Sequence, residues 1–140
     1  KVSPIDDIEI INTELILSDL SVVEIDGVEQ YRVAMIDGQK GIENWKSMCR
    51  GAFLIKKWKD KSNQSNVNIL VHCHQGLNRS ACVIACFLVK YLEWNSHQAI
   101  RWIQSRRPGS LNYLGFKKMI WKIEREKNIS QTQDKNNNIN

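Results

Sequence analysis

No long apolar run occurs in this chain. The longest wholly apolar stretch, Ala81 to Val89, has nine residues, whereas a membrane-crossing helix needs about 20. That excludes a helical bilayer span, and no membrane partner is expected. The opening residues, "KVSPIDDIEI", hold no apolar h-region, so no secretory leader is expected in them. C-x-x-C pairs are missing, and with them the usual zinc framework. Neither the glycine pattern of a dinucleotide loop nor the lysine of a Walker loop is present. There is no internal repeat.

Cysteines are few: Cys49, Cys73, Cys82 and Cys86. Two of them, Cys82 and Cys86, lie in an apolar helix-like stretch, which does not suit a disulfide-stapled scaffold. A reducing compartment, cytoplasm or nucleus, is therefore expected. Acids are scarce outside the first 30 residues. Those hold eight acids and one base, and the remainder carries 19 bases against 7 acids. A field of that sign favours an anionic partner. For "KKWKDK" (56–61) the plainer reading is the wet face of a helix.

What is present reads as one α/β domain, a size that 140 residues suit. "IEIINTELILSDLSVVEI" suggests short strands and turns, and "YRVAMID" (31–37) a strand. Ile42, Trp45, Met48, Cys49, Ala52, Phe53 and Ile55 fall near helical spacing, predicting a helix there. "VNILVHC" (67–73) suits a central strand. "RSACVIACFLVKYLEW" is apolar almost all round, so a buried helix is expected. Ser96 is the expected cap of the next helix, which Pro108 and Gly109 end. A last helix is expected over 112–127. Residues 128–140, "NISQTQDKNNNIN", are polar and biased to Asn and Gln, so a disordered tail is expected. The domain is accordingly set at residues 1–127.

The stretch "VHCHQGLNRSA" (71–81) sits between the central strand and the buried helix. That order puts free backbone N–H groups at a helix N-terminus, a site that binds anions and phosphate above all. Gly76 lets the backbone come close. Arg79 can fork two N–H bonds onto phosphate oxygens. Cys73 ends the strand under the same positive potential, which favours its thiolate. A thiolate beneath a bound phosphorus atom is a nucleophile placed for attack. Zinc at His72, Cys73 and His74 is disfavoured, because neighbours on a strand point to opposite faces. A buried structural cysteine is the plain reading for Cys82 and Cys86. At Cys73 it leaves Gly76, Arg79 and Ser80 unexplained.

"HCHQGLNRS" resembles the H-C-x5-R-[ST] signature of cysteine-dependent protein phosphatases, most closely the dual-specificity class. "SRRPGSLNYLGF" resembles the stretch that follows in that class, and "MID" before a helix resembles its general-acid loop. The likeness runs over about residues 8 to 127, with the N-terminal part shortened. It implies a twisted, mostly parallel central sheet of four or five strands flanked by helices. It also implies roles: Cys73 as nucleophile, with His74, Gln75, Gly76, Leu77, Asn78 and Arg79 holding the phosphate. Ser80 would donate to the sulfur, His72 would support the loop, and Asn112 would brace it from behind. Asp37 would protonate the leaving oxygen, then activate water. For Asp37 a turn before Gly38 is the competing structural reading, and Asp26 is the rival acid. Arg107 lies where a second phosphate could be met, and is equally read as a solvated helix end. Cys49 is the expected capture partner of an oxidised Cys73.

The implied activity is hydrolysis of phosphate monoesters on phosphotyrosine and phosphoserine/threonine proteins, by a monomer, with no metal or cofactor. A phosphate or sulfate anion would occupy the site, and no nucleic acid partner is expected. Three alternatives stand beside it: an RNA 5′-triphosphatase, a phosphoinositide phosphatase and a non-catalytic phosphate-binding module.

Overall fold

The computed structural model of the protein describes residues 8–10, 33, 35, 36, 42–61, 69–71, 73 and 78–137. Two short strands, β1 (Ile8–Ile10) and β2 (Ile69–Val71), pair in parallel with Ile8 opposite Ile69. A parallel ladder needs a long crossover between its strands. Here the chain from 11 to 68 supplies it, including a short 3-10 helix (Ile42–Asn44) and helix α1 (Trp45–Lys61). Helices α2 (Arg79–Tyr91), α3 (Ser96–Arg106) and α4 (Leu114–Asn137) follow. Helices α1, α3 and α4 all pack on α2. No helix among the described residues is long and apolar enough to cross a membrane.

Helix α2 is the centre of the molecule. Every residue from Ser80 to Val89 is buried, as its all-round apolar sequence predicts. Against it α1 lays Met48, Gly51, Ala52 and Ile55. Gly51 makes the approach possible, because a Cβ there would meet Val83 Cγ1 at 2.8 Å. Phe53 and Ile42, assigned to the same apolar face by spacing, instead point outward, 45% and 53% exposed. On the far side α4 contributes Phe116, Met119, Ile120 and Ile123. The C-terminus of α2 is closed by Lys127, whose Nζ donates to the Val89 carbonyl at 2.7 Å and pairs with Glu93 at 2.9 Å. A cation there complements the helix dipole.

Three expectations need correction. The cap of α3 is Asn95, not Ser96: Asn95 Oδ1 accepts from the Gln98 N–H at 2.7 Å. Ser96 is the first helical residue, and both its N–H and its hydroxyl donate to Glu124 of α4. A carboxylate brought in from another helix thus satisfies donors that sequence alone gave to a local cap. Second, the tail expected from 128 is helical to Asn137, as a continuation of α4. Residues 128–136 are exposed. Extending a nucleated helix costs little, however, and Gln131 Nε2 donates to Glu93 at 3.2 Å. Third, the described residues of the 31–37 run (33, 35 and 36) lie outside any strand. At Ile36 the physical reason is visible: both of its backbone groups bond to a side chain rather than to a neighbouring strand. Of the four or five strands expected, the described residues hold the parallel pair β1–β2.

Candidate active site

Cys73 lies two residues beyond β2, half-buried, facing the start of α2. Its Sγ is 3.3 Å from Ser80 Oγ. The two lie seven positions apart in the sequence. When the sulfur is a thiolate, only the hydroxyl can donate. Ser80 is then a hydrogen-bond donor aimed at the sulfur. Asn78 is buried and its carbonyl accepts the first intrahelical bond, from the Cys82 N–H at 2.8 Å. Its side chain does not cap the helix. No acid occupies the first turn of α2, so no side-chain carboxylate of that turn competes for its free amides.

Arg79 opens the helix, half-buried. Its Nε is fully buried and has no hydrogen-bond partner among the described residues. A buried guanidinium N–H calls for an acceptor, and an oxyanion is one group that a guanidinium can meet with two N–H bonds. The Cys73 sulfur and the Ser80 hydroxyl thus meet at the end of α2 that Arg79 opens. His72, His74, Gln75, Gly76, Leu77, Asp37 and Asp26 lie outside the described residues. Asn112 is exposed, between the buried Leu111 at φ 57° and the half-buried Tyr113. Arg107 is half-buried at the end of α3, where its N–H bonds to the Ile103 carbonyl at 2.8 Å.

The remaining cysteines form a separate sulfur layer between α1 and α2. Cys82 Sγ contacts Met48 Sδ at 3.2 Å, and burial pushes its thiol up. Cys49 takes a hydrogen bond from Cys86. That bond, opposed by partial burial and helped by Lys90, lowers Cys49 to about 7. Cys86 is fully buried, keeps its proton and is raised. The thiol partner visible for Cys49 is thus Cys86.

Asn44, next to the segment that leads to Asp37, was not singled out by sequence. Asn44 is buried, and its amide bonds both backbone groups of Ile36, the residue before Asp37. An Asn just ahead of an apolar helix was the available signal, since Asn is a favoured helix-start residue.

The family described as dual specificity phosphatase, catalytic domain, matches residues 29–126. Human dual specificity protein phosphatase CDC14A is 29% identical over 85 residues, covering 61% of this chain and 13% of that protein. Tyrosine-protein phosphatase yvh1 of Schizosaccharomyces pombe is 36% identical over 62 residues, covering 39% of this chain and 19% of that protein. This chain thus aligns with only a small part of either relative. Among solved structures, PTPMT1 superposes with a TM-score of 0.62 at 23% identity, covering 76% of this chain and 65% of that one. PTPMT1 in complex with PI(5)P gives 0.59 at 24% identity, covering 71% and 61%. At such identity the likeness is one of fold.

Proposed function

Because the chain belongs to the dual specificity phosphatase catalytic-domain family, we propose that it hydrolyses phosphotyrosine and phosphoserine/threonine in proteins through a phosphocysteine on Cys73. The observation that carries this reading is the 3.3 Å approach of Cys73 Sγ to Ser80 Oγ at the head of α2. In the first step the Cys73 thiolate attacks phosphorus, the bond to the leaving oxygen breaks, and Asp37 gives that oxygen its proton. The amides of the 74–79 loop and the Arg79 guanidinium hold the three remaining oxygens. In the second step water attacks phosphorus and returns a proton to Asp37. The sulfur leaves as a thiolate, stabilised by the Ser80 hydroxyl.

No metal is required for either step in this reading. The parallel pair β1–β2 belongs to a twisted sheet of four or five strands, with the site at its C-terminal edge. The domain acts as a monomer in cytoplasm or nucleus on a phosphorylated protein.

The test is a side-by-side assay of phosphotyrosine and phosphoserine/threonine peptides, phosphoinositides and triphosphate-ended RNA, with Cys73→Ser as control. Turnover of the peptides, lost in Cys73→Ser and indifferent to EDTA, supports the reading. Preference for the lipid or the RNA by an order of magnitude or more overturns the substrate assignment. EDTA-sensitive activity restored by a divalent ion overturns the mechanism.

A further inference from the structure

We propose that Asn44 is the positioning residue of the general acid: its side-chain amide fixes the peptide unit that leads into Asp37. The proposal rests on the reading of Asp37 as the proton donor.

Asn44 Oδ1 accepts from the Ile36 N–H at 2.7 Å, and Asn44 Nδ2 donates to the Ile36 carbonyl at 2.6 Å. A carboxamide presents one donor and one acceptor side by side. Here both are spent on the two backbone groups of a single residue, as a strand partner would spend them. Asn44 itself is buried, 2% exposed. Packing does not hold Ile36 in place, since its side chain is 63% exposed. The two hydrogen bonds are therefore its visible anchor, with Met35 resting on the core before it.

The Ile36 carbonyl belongs to the same planar unit as the Asp37 nitrogen. Asn44 is in turn joined to α2 through packed helix. It ends the 3-10 helix that runs into α1, and α1 packs along α2, whose first residues are Arg79 and Ser80. Packed helix thus runs from Asn44 through α1 to α2. A displacement of about 1 Å at a reacting group can cost about 100-fold in rate, so a clamp one residue away has a large effect to deliver.

The leaving group supplies the test. An alkyl phosphate needs a proton on its leaving oxygen, and an activated aryl phosphate with an acidic phenol does not. Asn44→Ala should lower kcat on a phosphoserine peptide by about 10- to 100-fold. It should leave kcat on a fluorinated coumarin phosphate within about threefold, and inhibition by tungstate unchanged. The double variant Asn44→Ala/Asp37→Asn should be no slower than Asp37→Asn alone. Asn44→Asp gives a second readout. Its neutral carboxyl keeps one donor and one acceptor, so peptide activity should return at acidic pH and fall as the carboxyl ionises.

Equal losses on both substrates, or additive losses in the double variant, would mean a structural role only and overturn the proposal. Should Asn44→Ala fail to fold, a flat Asn44→Asp profile relative to wild type overturns it instead. If Asp37→Asn is itself insensitive to the leaving group, the acid assignment falls and takes the proposal with it. If Asp37→Asn is sensitive and Asn44→Ala is not, only the proposal falls.

Discussion

Cys73 Sγ and Ser80 Oγ stand 3.3 Å apart across the junction of strand and helix. In the proposed mechanism the contact fits the second chemical step better than the first. A hydroxyl pointed at sulfur stabilises a departing thiolate, and for the same reason slightly blunts an attacking one. Ser80→Ala should therefore slow phosphoenzyme hydrolysis by about 10- to 100-fold, the worth of one hydrogen bond to a charged group. Rapid-quench kinetics on an activated aryl phosphate should show a burst of phenol followed by a slow steady state. A variant with no burst and an equal loss in both phases would place Ser80 outside this role.

Arg79→Lys keeps a positive charge and loses the planar fork. The buried Nε of Arg79 has no acceptor among the described residues, and lysine cannot reproduce that donor. Turnover should drop by about 100- to 1,000-fold, with weaker competitive inhibition by inorganic phosphate. Near-normal kinetics for the lysine variant would remove Arg79 from the oxyanion site.

Thiol reactivity should follow a defined order. Cys49 is half-buried and lowered to about 7 by the bond from Cys86. A lowered thiol is ionised above its own pKa, so alkylation at Cys49 should rise as pH increases through about 7 and then level off. Cys82 and Cys86 are raised and buried, and should stay unmodified in the native protein. Peptide mapping after brief iodoacetamide treatment reads all three. Substituting Cys86 with Ala should move the Cys49 transition to higher pH.

The seam between α1 and α2 depends on Gly51. Replacing it with Ala gains up to about 1 kcal/mol of helix propensity. The new methyl meets Val83 at 2.8 Å, and a β-branched side chain in a helix has little freedom to turn away. Overpacking of this kind costs about 1–3 kcal/mol, so Gly51→Ala should lower the urea midpoint. Adding Val83→Ala should restore part of the loss relative to Gly51→Ala, which a thermodynamic cycle would measure.

Much of this was legible in residues 71–81. The order strand, loop and apolar helix is the order of β2 and α2 in the structure, and the burial of α2 follows from its composition. The helix over Trp45–Lys61 was legible in outline, yet Phe53 and Ile42 show where periodicity misleads. Spacing counts apolar residues, while burial depends on which neighbours arrive. The capping of Ser96 by Glu124 joins residues 28 apart, and the clamp of Ile36 by Asn44 joins residues 8 apart. Neither is local chemistry of the kind a cap or turn pattern encodes. The helical course of 128–137 escaped notice because composition reports whether a segment can form a core. It does not report whether a preceding helix will carry on through it.

Helix α2 is enclosed on every side, and Arg79 and Ser80 ride at its head. In most domains the best-buried element is the last to open, and hydrogen exchange there tracks global unfolding. In the proposed mechanism the phosphate-holding half of the chemistry is therefore tied to the firmest part of the fold. The Ile36–Asn44 clamp, with its exposed isoleucine, lies on a weaker margin. Under mild urea these two capacities should part company: oxyanion binding should persist to the global midpoint, while hydrolysis of alkyl phosphates fades earlier. The enzyme would pass through a state that still grips phosphate and has lost its preference for difficult esters.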